Sequence, residues 1–308
     1  MTSWLLKKVG TFLIFLWAAG SLIFFLVHTI PGDPVVAMLG KMPRSEDVRQ
    51  LRRALKLDRP LSEQYVHFIK KMLCLDLDES IIDRKPVISS IMKYFPNTII
   101  LASVAMMLAG LIALPLGILA AVKKNSIWYA WSMILSTIGL AIPGFLLAIL
   151  LIIVFAVQLK FLPVSGSGGF KFLILPALTL AISLSASLTR MIHTAVSGEL
   201  RQPYVLLAQA KGLSEFCIFS NHVLKNAMIP IITIMGLQLG ACLSGTIIIE
   251  NVFSWPGIGT LLITAIRQRD FPMIQGVALF LAALYLLLNL LVDLSYPLIN
   301  PRIRHDVL

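Results

Sequence analysis

The chain has 308 residues, 58% hydrophobic and only 13% charged, with a net charge of +11. Soluble domains carry about 25% charged residues, and here the deficit falls in long uncharged runs, so lipid is the solvent for much of the chain. The basic excess sits in the gaps between those runs, where it reads as headgroup contact and topology signal and not as nucleic-acid binding.

Six apolar runs are long enough to span a bilayer, at residues 9–30, 98–122, 128–157, 172–189, 227–249 and 273–292. The pattern predicts an all-α polytopic membrane protein. Lys7 and Lys8 precede the first run as in a signal peptide. The run is long for that role, however, and His28-Thr-Ile-Pro-Gly-Asp33 follows where small cleavage-site residues belong, so it reads as an uncleaved anchor. The third run exceeds one span and contains Pro143-Gly144, which predicts a kink or a tilt.

With a cytoplasmic N-terminus, the short inner segments hold ten Lys and Arg and the short outer loops four. This is the expected asymmetry. The loop 31–97 adds twelve on the outer side, but long loops translocate largely regardless of charge. It reads as a small helical extracytoplasmic subdomain. Ser45 is placed to cap a helix with Val48, Leu51 and Leu55 on one face. Ser62 is placed to cap a second with Tyr65, Phe68, Ile69, Met72 and Leu73. The predicted divisions are an N-terminal membrane helix at 1–30, the subdomain at 31–97 and a five-helix membrane core at 98–308.

No GxxxxGK[ST] loop, CxxC or HExxH pattern occurs, and the five histidines are scattered. No enzyme constellation is present, and the chain itself is expected to hold no cofactor or metal. The apolar runs hold no ionisable residue at mid-depth, Arg190 and Asp293 being read as lying at span ends. This weighs against an ion-coupled carrier, which keeps such a residue inside the membrane, although a stand-alone carrier or channel remains the alternative reading. In the fifth run, Gly236, Gly240 and Ser244 recur every fourth residue, the spacing that lets two helices approach closely. Gln238 beside them is the candidate polar lining residue of a cavity.

The inner segment at about 196–226 carries a second pattern. Pro203 suits a first helical position, Gly212 a left-handed stop, and Ser214 the cap of a following helix. The product is a short helix, a sharp break and a return to the membrane.

The stretch Tyr204-Val-Leu-Leu-Ala-Gln-Ala-Lys-Gly-Leu-Ser, followed by His222-Val-Leu-Lys-Asn-Ala227 and Pro230, resembles the cytoplasmic EAA loop of ABC-importer permeases, in the version found in the dipeptide/oligopeptide/nickel family. Pro31-Gly-Asp-Pro34, Leu162-Pro-Val-Ser-Gly166, Leu175-Pro-Ala-Leu-Thr179, Glu250-Asn-Val-Phe-Ser-Trp-Pro-Gly-Ile-Gly259, Arg269-Asp-Phe-Pro-Met-Ile-Gln-Gly276, Asn289-Leu-Leu-Val-Asp-Leu-Ser-Tyr296 and Pro301-Arg-Ile-Arg304 extend the resemblance along nearly the whole chain. Two departures stand out. Leu206-Leu207 occupies a position where the family usually has a charged or small residue, and Asp76-Leu-Asp-Glu-Ser80 replaces a Gly-Asp-Leu-Gly run.

The resemblance implies a type I ABC-importer permease fold in a bacterial inner membrane, with both termini cytoplasmic. It implies a second, homologous permease, two ATP-binding subunits that hold ATP and Mg, and an extracytoplasmic substrate-binding protein. Di- or oligopeptides are the leading cargo, with nickel, glutathione and antimicrobial peptides open. Tyr204, Leu206, Leu207, Ala208, Lys211, Gly212, His222 and Asn226 are the implied ATPase-coupling residues.

This topology places Cys74 outside, Cys242 in the membrane and Cys217 in the cytoplasm. Bridged cysteines need Cα atoms within about 7 Å, so no intrachain disulfide is expected. A membrane-impermeant thiol reagent added from outside is expected to reach Cys74 at most. Labelling of Cys217 under those conditions would refute the topology.

Overall fold

The computed structural model describes residues 2–29, 46, 49, 52, 58–166 and 168–299. The predicted Ser45 cap with its Val48, Leu51 and Leu55 face, the motif at 31–34 and the closing motif at 301–304 lie outside these residues. Glu46, Arg49 and Arg52 have helical backbone.

Eleven helical segments follow in order among the described residues: α1 (Thr2–Thr29), α2 (Leu61–Leu73), α3 (Val87–Val122), α4 (Ile127–Ala141), α5 (Gly144–Leu151), α6 (Phe170–Glu199), α7 (Pro203–Ala210), α8 (Glu215–Ile218), α9 (Lys225–Val252), α10 (Ile258–Gln268) and α11 (Phe271–Ile299). α5 ends in a π-helical stretch at Ile152–Gln158, and another at Phe219–Leu224 joins α8 to α9. Among the described residues, five helices are long and apolar enough to cross a membrane. A sixth crossing exists if α4 and α5 form one broken span, since they meet at a 100° bend. The cause is Pro143. It forces Ile142 into extended backbone and then opens α5 with its own fixed φ.

The helices outrun the apolar runs. α3 starts eleven residues before the predicted 98, and α6 continues ten residues past 189. In α2 the cap is Pro60, so Ser62 lies in the first turn and does not cap it.

The chain divides into two compact units, one of residues 1–98 with 256–287, the other of residues 99–255 with 288–308. In the first, Val27, Val87, Ile91, Ile258, Ala265, Phe271 and Val277 form a buried core. α2 is tied to α1 by the Phe24–Tyr65 and Phe24–Phe68 ring pairs, both at 5.4 Å, and by a 2.7 Å hydrogen bond between Ser21 and Tyr65. In the second, α6 is the central helix. A buried core runs from Met106, Ala109 and Ala113 of α3 through Leu188, Ile192 and Val196 of α6 to Ala227 and Ile231 of α9.

Close approach in the second unit depends on missing side chains. A Cβ at Gly117 would stand 2.7 Å from Ile192 Cβ and 2.9 Å from the Thr189 carbonyl oxygen. One at Gly139 would stand 2.8 Å from Ala186 Cβ. The three cysteines are free; Cys74 is exposed and Cys242 buried.

Gly117→Val is therefore expected to destabilise the protein by about 1–3 kcal/mol, the usual cost of overpacking. The check is the Tm of the purified protein in detergent. Gly198→Ala, in the same unit with nothing within 4 Å of the new Cβ, should leave Tm unchanged or slightly raised.

Candidate functional site

The loop between α6 and α9 holds most of the residues singled out in the sequence. Pro203 occupies the first turn of α7, where its missing N–H costs nothing. The helix is stopped by Gly212, whose φ of +77° is the left-handed conformation glycine adopts freely. Gly212 N–H donates to Gln209 O at 2.9 Å and Leu213 N–H to Ala208 O at 3.3 Å, which closes the C-terminus. Ser214 Oγ then accepts from Cys217 N–H at 3.3 Å, so the predicted cap opens α8.

α7 has two distinct faces. Val205 and Ala208 are buried with Ile218, Val223 and Ala227. At 8% exposure Ala208 faces inward and spaces α7 from its own chain's core. Leu206 and Leu207 face out, 68% and 59% exposed. Phe216 of α8, absent from the sequence-based set, is also exposed, at 81%. A one-residue offset cannot be assigned to a face before the helix's neighbours are known, and a lone exposed aromatic on a four-residue helix leaves no periodicity to detect. Lys211, His222 and Asn226 are all exposed.

Tyr204 anchors the helix. Its hydroxyl donates to Glu199 Oε2 at 2.7 Å, at the end of α6, and its side chain also bonds Asn226 in the first turn of α9. Burial pushes the Tyr204 hydroxyl above its ordinary pKa. The Glu199 bond adds to the rise and the Asn226 bond opposes it. The phenol therefore stays a donor at neutral pH, and one side chain joins α6, α7 and α9.

In the membrane part of the second unit, a Cβ on Gly236 would stand 2.8 Å from Val292 of α11, so the small residue admits a neighbouring helix of the same chain. Gly240 is buried. Ser244 lies on the same helix, and its side chain is outside the described residues. Gln238 Nε2 donates to Ser187 Oγ of α6 at 3.0 Å.

Two ionisable residues lie inside long apolar helices. Arg190 lies nine residues inside the end of α6, with Nη2 donating to Thr137 Oγ1 of α4 at 2.7 Å. Glu250 lies two residues before the end of α9 and is fully buried. Apolar runs in sequence end at the first charge, whereas helices do not.

The first unit joins two loop motifs. The Asp270 carboxylate accepts from the Ser80 hydroxyl, from Ile81 N–H at 3.2 Å and from Met273 N–H at 3.3 Å. It thus starts α11 and clips the turn after α2 onto it. Asn97 Nδ2 donates to Pro256 O at 2.8 Å, and Ile258 N–H to Thr98 Oγ1 at 2.8 Å.

Residues 113–305 match the family described as binding-protein-dependent transport system inner membrane component, and residues 1–102 match its N-terminal membrane component. Among relatives, the chain is 37% identical over 305 residues to the glutathione transport system permease protein GsiC of Escherichia coli strain K12, covering 99% of this chain and 100% of the relative. It is 36% identical to the protein of the same name in Shigella flexneri serotype 5b, with the same coverage. In fold it resembles the MetNI methionine ABC transporter in an inward-facing conformation, with a TM-score of 0.60 and 18% identity, over 69% of this chain and 97% of that one. It also resembles an amino acid ABC transporter, with a TM-score of 0.55 and 14% identity, over 67% and 92%.

The chain belongs to the binding-protein-dependent transport system inner membrane component family, the permease subunits of ABC importers. It is a multi-pass inner-membrane protein and not an enzyme; ATP hydrolysis belongs to partner subunits.

Tyr204→Phe is expected to free α7 at one end, because it leaves Glu199 and Asn226 without their shared partner. A hydrogen bond to a charged group contributes about 1.5–3 kcal/mol. Hydrogen exchange of the 203–212 amides should accelerate roughly ten- to hundredfold, while exchange in α3 and in the middle of α6 stays unchanged.

Proposed function

We propose that this permease, paired with a second homologous permease, forms half of a path for di- or oligopeptides, and that α7 is the element through which two ATPase subunits drive it. ATP and Mg sit on those subunits, and an extracytoplasmic binding protein delivers the cargo. Both chain termini are cytoplasmic, which places α7 on the ATPase side and residues 31–97 on the binding-protein side. The shared name of the relatives, a glutathione transport permease, supports a small peptide as cargo.

The observation that carries the coupling role is the exposed pair Leu206 and Leu207 on a helix anchored at both ends. Adjacent apolar side chains left in water on a rigid knob are a docking surface for a groove in another protein. Burial of each leucine contributes roughly 1.5–3 kcal/mol. Gly212 sets the exit angle, and a side chain at its φ costs about 1 kcal/mol or more.

The test is co-expression with the second permease, the ATPases and the binding protein, followed by ATP-dependent uptake of reduced glutathione and a panel of di- and tripeptides. The Leu206→Asp/Leu207→Asp double variant is expected to lose ATPase co-purification by at least tenfold and to abolish uptake, with membrane insertion intact. Gly212→Val should retain part of both. If both variants keep the ATPases and transport normally, the loop is only a connector.

A further inference from the structure

α6 carries a second feature that coupling does not use. Ser183, Ser187, Arg190 and Thr194 fall at helical spacing on one stripe of the helix, and each is half-buried or exposed. Neighbouring helices supply two more polar groups to it, Thr137 from α4 and Gln238 from α9, each hydrogen-bonded to a residue of the stripe. Leu188, Ile192 and Val196 of α6 belong to the buried apolar core.

The position of Arg190 decides what this stripe is. α4 and α6 run antiparallel, with Gly139 opposite Ala186 and the Tyr129 ring 5.5 Å from that of His193. Arg190 is therefore level with α4 residues at about 133–135, by interpolation at the helical rise of ~1.5 Å per residue. Its guanidinium bonds to Thr137, farther still from the 123–125 turn. Exposed Trp128 and Trp131 mark the interfacial end of α4. Thr137 lies about 9 Å deeper than Trp131. The charge thus points into the membrane, opposite to the direction in which arginine reaches for headgroups. An exposed guanidinium facing hydrocarbon at that depth is costly. Among the described residues no carboxylate pairs with it. A water-filled path on this face removes the cost.

We propose that Arg190, held by Thr137, is an anion-recognising residue of the translocation path and takes a carboxylate of the cargo as it moves along the strip of Ser183, Ser187 and Gln238. This deepens the peptide-importer reading and rests on it, because a peptide offers a carboxylate that a cationic or neutral cargo lacks. The planar fork of arginine fits a carboxylate with two parallel hydrogen bonds.

The assembled complex, with Cys74, Cys217 and Cys242 replaced, tests this in proteoliposomes. Ser187→Cys, and separately Thr137→Cys, is modified with an anionic and a cationic methanethiosulfonate of similar size, each rate divided by the rate with a small free thiol. Both positions are expected to react, the anionic reagent faster. Arg190→Gln should lower the anionic-to-cationic ratio about tenfold, and Arg190→Lys should restore most of it. Uptake of the cargo found in the peptide panel should fall at least tenfold in Arg190→Gln with ATPase co-purification retained. Absence of modification at both positions, or a ratio or an uptake rate indifferent to Arg190→Gln, would overturn the proposal. A wild-type complex that takes up no peptide sinks the importer reading alone, since the labelling ratio is read without cargo.

Discussion

The close approach of α3, α4 and α9 to α6 is the constraint on which the second unit depends. Lipid offers no hydrophobic reward for bringing helices together, so packing must come from backbones that nearly touch and from the few polar bonds that cross between them. Gly117 and Gly139 provide the first, since a methyl group at either would collide with α6. Ser187 with Gln238 and Thr137 with Arg190 provide the second. The buried hydroxyls of α6 do not compete for these partners. Thr179 bonds Leu175 O and Thr189 bonds Ser185 O, each within its own helix, so they are buried without demanding anything from a neighbour.

The first unit is held by a different device. Its helices meet through aromatic rings around Phe24 and through loop groups bonded to single side chains. Asp270 is the clearest of these, with a carboxylate that serves a hydroxyl and two backbone amides in a buried site. Such an anion is tolerated there because every contact is a donor. Gly276 lies one and a half turns farther along α11, where a Cβ would stand 2.6 Å from Val87, so the helix that Asp270 starts also admits the beginning of α3.

Much of this was legible before any coordinates. Pro203, Gly212 and Ser214 act through local backbone chemistry, and all three hold the positions that chemistry assigns them. The spans were legible because hydropathy integrates over many residues. Other features depend on neighbours that sequence does not name. Helix ends ran past the hydropathy edges to Val87 and Glu199, because a helix continues past the last apolar residue wherever its backbone bonds continue. Ala208 faces its own core because Val205, three residues earlier, is the packing residue of that face, and nothing in the string distinguishes inward from outward on so short a helix. The pairing of Ser80 with Asp270 joins residues 190 apart in sequence, and neither motif alone hints at the other.

The proposed coupling helix and the proposed polar path are built on the same pair of helices. Tyr204 fixes α7 to Glu199 at the end of α6 and to Asn226 in the first turn of α9. Farther along those two helices, Ser187 and Gln238 are bonded to each other. The core residues Leu188, Ile192 and Val196 of α6 and Ala227 and Ile231 of α9 fill the interval between these two polar ties. A packed interior is not continuously deformable, so a displacement of α7 is not absorbed locally but passed to α6 and α9 as bodies. The polar strip rides on those bodies. A partner groove that seized Leu206 and Leu207, as proposed, would therefore act on Ser187 and Gln238 without touching them, and a two-state partner would impose two states on the proposed path.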